Sequence, residues 1–192
     1  PGVGKCGWRQ EDLLTRTQLD WNNLVGWSTT YNTVYGPTFG VVEVGIPGTI
    51  GYSMRFNSTV AIENYLVASG TPAVLTADLS NPQASSSGIF GGEVLALQLN
   101  VDFAASGFLG GSSGLTFGDL TLCNVSDVSL NNQSVADFLA LANQLLGGNT
   151  TTVDTPAAIS PIVGELNFSF ALGTPSTWAQ AHLFNGACPS GQ

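Results

Sequence analysis

Charge is what this chain has least of. Only four Lys and Arg and thirteen Asp and Glu occur in 192 residues, and Lys5 is the one lysine. The formal net charge is −9. Such a balance excludes an electrostatic nucleic-acid binder, which needs a basic stripe to displace counterions from phosphates. It argues equally against docking on anionic membranes. No apolar run approaches the roughly 18 to 20 residues of a membrane helix, so no membrane insertion is expected. Phosphate-cradling GxGxxG and GxxxxGK[ST] patterns are absent in usable context, and no DxDxDG cluster offers a calcium loop. The chain holds one histidine, His182, and no CxxC pair, so a zinc set cannot be completed. No cofactor is implied.

The cysteines are Cys6, Cys123 and Cys188. Three is an odd number, so at most one bridge forms within the chain. Cys123–Cys188 pins the C-terminal tail to the strand-like run TFGDLTLC, and Cys6 then remains as a thiol or links copies of the chain. Cys6–Cys188 is nearly as good, because chain termini often lie close together. The sequence starts at Pro1 with no Met and no leader pattern, and reads as a mature exported protein whose signal has been removed. Five Asn-x-Ser/Thr sequons, at Asn57, Asn124, Asn132, Asn149 and Asn167, strengthen a secreted, extracellular or cell-surface reading.

Apolar residues make up 43% of the chain and glycine 24 positions, enough core for one domain spanning 1–192. Glu11–Leu19 and TFGVVEV at 38–44 look extended. Gly45-Ile-Pro-Gly48 is a turn, and Gly51–Phe56 pairs back as a hairpin. Ser58 caps a helix over TVAIENYLVA. In Glu93–Phe103, Leu95, Leu97, Leu99, Val101 and Phe103 alternate, which favours a strand, while the Ala, Leu and Gln content favours a buried helix. SVADFLALANQLLGG carries a broad helical face closed by Gly147 and Gly148. Ser160-Pro161 and Thr174-Pro175 each resemble a cap with proline in the first helical turn. The expected architecture is α+β: a β-rich N-terminal half, sheet or sandwich, packed with helices from the C-terminal third. Residues 1–33 are expected as an extended arm.

Chemistry is thin. Gly110-Gly111-Ser112-Ser113-Gly114 matches GxSxG, but it lies in a Gly/Ser loop leading to an extended segment rather than a strand-to-helix elbow. Ser112 as the nucleophile of a secreted hydrolase is therefore the least favoured reading. His182 beside a cysteine would need a reduced thiol, which conflicts with an oxidising compartment. Glu43, Glu63, Glu93, Asp102, Asp119 and Glu165 are candidate carboxylates for glycosidase chemistry, with no spacing that selects two. Aromatics crowd the start of the chain at Trp8, Trp21, Trp27, Tyr31 and Tyr35. Trp21, Trp27, Tyr31 and Tyr35 either stack on a polysaccharide, making a carbohydrate-binding or adhesive module, or fill a core or subunit contact.

The segments VYGPTFGVVEVGIPGTIGYSM, SSSGIFGGEVLALQLNVDF, FGDLTLCNV and VADFLALANQLLGG together resemble a family of uncharacterised secreted bacterial proteins. The resemblance runs from about Gln10 to Pro189. It implies an extracellular bacterial origin and a helix over the GGEVLALQLNVDF stretch, and it brings no catalytic residues with it. The sequence as a whole leads to a non-enzymatic extracellular structural subunit that self-associates into a fibre, sheath or matrix layer. A surface this poor in ionic groups is soluble when sister molecules or glycans cover it.

Overall fold

The computed structural model describes residues 6–111, 113–149 and 154–189. The fold is α+β, with a small sheet in the N-terminal half and helices toward the C-terminus. Helix α1 covers Gln18–Asn22 and α2 covers Ser28–Tyr35. Strands β1 (Val42–Gly45) and β2 (Ser53–Phe56) form the expected antiparallel hairpin, with Val42 opposite Phe56. Strand β3 (Leu79–Ser80) adds in parallel to β2. Helix α3 spans Thr59–Tyr65, and Ser58 Oγ caps it by accepting from Ala61 N–H at 3.2 Å. The sheet of the N-terminal half is three short strands, with helices α1 to α3 beside it. Glu11–Leu19 is not extended, since a 3-10 turn at Gln10–Asp12 and α1 occupy both its ends.

The Glu93–Phe103 stretch lies within helix α4, Ile89–Ala105, the central element of the molecule. Buried side chains occupy every side of it: Phe90, Val94, Leu95, Ala96, Leu97, Leu99, Asn100 and Phe103. A helix covered all round has no solvent face to impose a 3.6-residue period, so the alternating leucines carry no strand signal. Helices α5 (Val135–Leu146) and α6 (Pro156–Phe168) pack against α4. Ser134 and Asp137 cap α5 reciprocally: Ser134 Oγ accepts from Asp137 N–H at 3.0 Å, and the Asp137 carboxylate accepts from Ser134 Oγ–H at 2.7 Å. Helix α6 starts five residues before the expected Ser160-Pro161 cap, at Thr155-Pro156. Pro161 sits inside the helix and withholds one backbone N–H, an interruption costing about 3 kcal/mol. Burial of Ile159, Val163 and Leu166 against α4 offsets it. Helix α7 (Thr177–His182) is capped by Ser176, one residue beyond the Thr174-Pro175 pair. Strands β4 (Thr121–Leu122) and β5 (Leu183–Phe184) pair antiparallel beside a Cys123–Cys188 disulfide.

The expected N-terminal arm is a correction as well. Residues 1–5 lie outside the described residues, but from Cys6 onward the segment is threaded into the domain. Cys6, Trp8, Leu13, Trp21, Trp27 and Tyr31 are buried. Asn185 N–H donates to Cys6 O at 2.8 Å, Trp8 Nε1 donates to Leu183 O at 2.9 Å, and Thr15 N–H donates to Phe170 O at 3.2 Å. These bonds hold the chain start against the C-terminal elements, while Trp21 and Trp27 pack on Phe103 of α4 and Tyr31 Oη donates to Phe56 O, because a free arm would leave the rings in water.

Candidate functional site

The four aromatic residues singled out in the sequence come together, but inside. Trp21 and Trp27 stand 5.1 Å apart between ring centroids, Trp27 and Tyr31 5.9 Å, and Tyr31 and Tyr35 4.9 Å. Phe103 of α4 contacts Trp21, Trp27 and Tyr35 at 5.0 to 6.2 Å. All four residues are buried. Each such ring pair adds about 0.5–1.5 kcal/mol beyond area burial, so the column is a stability element. Rings enclosed this way present no face to a sugar. The polysaccharide-stacking role for Trp21, Trp27, Tyr31 and Tyr35 is withdrawn, as is direct subunit contact through them.

One end of the column meets a cleft of about 290 Å³ between α4 and the hairpin, lined by Tyr35, Glu43, Arg55, Gln98 and Asp102. Tyr35 Oη donates to Asp102 Oδ2 at 2.7 Å, and Gln98 Nε2 donates to the same carboxylate at 3.0 Å. Asn143 Nδ2 donates to Gln98 Oε1 at 3.2 Å, while its Oδ1 accepts from Gly45 N–H at 2.8 Å. The chain of bonds ties α2, α4, α5 and β1 together. Burial pushes the Asp102 carboxyl above its ordinary value, against the opposing hydrogen bonds from Gln98 and Tyr35. Burial, followed by the neighbouring Asp102 charge, pushes the Tyr35 phenol well up, and burial takes Tyr31 up to about 12. Asp102 can therefore hold a proton at higher pH than an exposed aspartate. Beside it, Glu43 accepts from Ser53 Oγ at 2.6 Å.

The other end of the column opens into a cavity of about 230 Å³ lined by Arg16, Trp21, Trp27, Phe103 and Phe108. Asn100 positions Arg16 from α4. Its Oδ1 accepts from Arg16 N–H and its Nδ2 donates to Arg16 O, both at 2.8 Å. The Arg16 guanidinium carbon lies 5.7 Å from the Trp21 ring centroid. Sequence reasoning passes over Arg16 and Asn100. The usable signal is a scarce cation five residues before a tryptophan.

The remaining candidate acids serve the fold. Glu93 accepts from Gln18 Nε2 at 2.8 Å and from Asn167 Nδ2 at 2.7 Å. Gln18 fits because Gly92 has no Cβ; one there would collide with the Gln18 amide and the Ala68 methyl. Glu63 accepts from Trp27 Nε1 at 3.0 Å, and Asp119 from Thr116 Oγ1 at 2.7 Å. Glu165 contributes its backbone oxygen to Ser169. His182 sits with Nδ1 3.0 Å from Cys123 O and its ring 4.8 Å from Trp178. Ser112 lies outside the described residues. Among the described residues, no three His, Cys, Asp or Glu side chains group as metal ligands would, and no helix is long and apolar enough to cross a membrane.

Cys123 and Cys188 are bonded. Cys6 is buried with its Sγ 3.2 Å from Gln180 O, so it cannot link two copies without unpacking the chain start. Among the sequons, Asn57, Asn124 and Asn132 are exposed and Asn149 is half-buried. Asn167 is a correction: at 1% exposure it joins Glu93 to Asn100 inside the molecule, where no glycan fits. No protein-family model, curated protein or solved structure matches the chain. The family resemblance read from its segments therefore stays an expectation.

Proposed function

We propose that this chain is an exported, non-enzymatic structural subunit that associates with copies of itself into a fibre, sheath or matrix layer. One observation carries the reading. Phe39 and Leu172 stand 97% and 83% exposed, with φ of 58° and 56°. A single exposed apolar side chain needs no explanation. Two bulky ones held in left-handed backbone do, since that conformation costs about 1–2 kcal/mol at each non-glycine residue. Turn hydrogen bonds offset that cost, Gly40 N–H donating to Tyr35 O at 2.8 Å and Gly173 N–H to Phe170 O at 3.0 Å, and burial of the two exposed side chains against a neighbour would add about 1.5–3 kcal/mol each. Val25 and Ile50 are each 93% exposed as well.

Supporting facts point the same way. Only seventeen charged side chains are available to the surface, so small polar groups and glycine must cover the rest of it. The disulfide fits an oxidising compartment outside the cytosol. Glu63, Glu93 and Asp102 accept hydrogen bonds that hold separate elements together. Sedimentation velocity and negative-stain microscopy at rising concentration test the proposal. Wild-type protein should form species larger than one chain, and Phe39→Asp with Leu172→Asp should return it to a single particle. A wild-type chain that stays a single particle at the highest concentration overturns it.

A further inference from the structure

A further cavity, of about 740 Å³, lies where α7, β5 and the C-terminal tail meet the loop after β4. It is more than twice the volume of either cleft at the ends of the aromatic column, and falls within the range of small-molecule sites, about 300–1,000 Å³. Val125, Val128, Phe184 and Pro189 give it apolar walls, and Gln180 and His182 line it from α7. The Cys123–Cys188 bridge ties the tail that carries Pro189 to the end of β4, so one wall is held covalently. His182, the one histidine of the chain, is held as firmly. Its backbone O accepts from Cys123 N–H at 2.8 Å, its Nδ1 lies 3.0 Å from Cys123 O, and Trp178 packs on the ring at 4.8 Å. A carbonyl oxygen only accepts, so Nδ1 carries the proton of the neutral imidazole and Nε2 presents a lone pair. The side chain is half-buried, which leaves it within reach of a guest.

These walls define the guest. Among the described residues that line the cavity, none is Lys, Arg, Asp or Glu. A charged molecule would lose hydration there without meeting a counter-charge, so a neutral one is favoured. The four apolar residues bury a ring body. An apolar cavity of about 150 Å³ accommodates benzene, so 740 Å³ has room for more than one ring. A fixed imidazole lone pair adds direction, because it rewards a guest that brings a donor. We infer that this cavity binds a neutral hydroxylated compound of two or more rings, its O–H donating to His182 Nε2. Phe39 and Leu172 do not line the cavity, so the inference stands apart from self-association, and either can fail without the other.

β-Naphthol is a direct probe: two fused rings, one hydroxyl and no charge at neutral pH. Equilibrium dialysis against the whole native chain should show saturable binding. Proton NMR of the same titration should move the imidazole C–H signals, which belong to His182 alone because the chain holds no other histidine. The methyl ether of β-naphthol keeps the rings and loses the donor, and should bind at least about threefold more weakly, the value of one hydrogen bond. β-Naphthoate, whose charge the walls do not match, should also bind more weakly than β-naphthol. Val128 lines the cavity and is 80% exposed, so Val128→Arg should reduce β-naphthol binding while leaving the melting temperature close to wild type. His182→Phe, which keeps a ring beside Trp178, should remove the preference for alcohol over ether. Absence of saturable binding, ether or naphthoate binding as tightly as β-naphthol, unmoved imidazole signals, or undiminished binding by Val128→Arg each overturns the inference. The alcohol-against-ether comparison needs no variant, so it stands even if His182→Phe impairs folding.

Discussion

The disulfide closes a loop of 65 residues that contains α5, α6, α7 and β5. Cutting it enlarges the unfolded ensemble, because the two ends of that loop are no longer forced together. For n of 65 the chain-entropy relation gives about 4 kcal/mol at room temperature. A domain of this size loses about 2–4 °C of melting temperature per kcal/mol, so reduction should lower it by about 8–16 °C. The threading of the N-terminal segment does not soften this figure. Bonds such as Trp8 Nε1 to Leu183 O exist only in the folded state, and the cross-link acts on the unfolded one. The assay is a thermal melt by circular dichroism of oxidised protein, reduced protein and the Cys123→Ala/Cys188→Ala variant. Reduced protein and variant should agree with each other. A fall of less than about 3 °C in both refutes the loop-entropy argument, and points to an unfolded chain already compact around these residues.

Asn167→Ala should cost more than an ordinary surface change, because it strips partners from Glu93 and Asn100 at about 1–3 kcal/mol each. Chemical denaturation should show the loss, and a midpoint unchanged from wild type would remove the network from the stability account. Produced in a glycosylating host, the protein should carry glycans at Asn57, Asn124 or Asn132 and none at Asn167 by peptide mass mapping. Asp102 sets a pH dependence. Its carboxyl is raised by burial, so the folded chain holds that proton more tightly than the unfolded chain does. The stabilising contribution is complete below the ordinary aspartate value and is lost as pH rises through the folded one. Asp102→Asn, which keeps an acceptor for Tyr35, should flatten that decline. Melting temperatures that run parallel for variant and wild type across about pH 3 to 7 would refute it.

Local signals work where the deciding interaction is local. Ser58 and Ser134 cap their helices as the sequence indicates, because a hydroxyl reaching a backbone N–H three residues on needs nothing from the rest of the chain. The β1–β2 hairpin follows from Gly45-Ile-Pro-Gly48 for the same reason. Two cap-and-proline pairs compete at the start of α6, and the choice of Thr155 over Ser160 rests on packing against α4. Helix α4 is ambiguous in sequence because its surroundings, not its pattern, define its faces. The candidate cavity is less legible still. Arg16 and Trp21 are near neighbours in sequence, but Phe103 lies far along the chain, and Asn100, buried in α4, holds the Arg16 backbone beside it.

Composition alone settles what the surface lacks. Four Lys and Arg residues cannot build a basic face in any fold, so the residue counts suffice to exclude electrostatic nucleic-acid binding. The pairing of Cys123 with Cys188, the enclosure of Trp21, Trp27, Tyr31 and Tyr35, and the withdrawal of Asn167 from the surface are decided in three dimensions. The reason is the same for all three. Burial is a property of what packs against a residue, and the groups that meet here are far apart in sequence: 65 positions separate the bridged cysteines, and 74 separate Asn167 from Glu93.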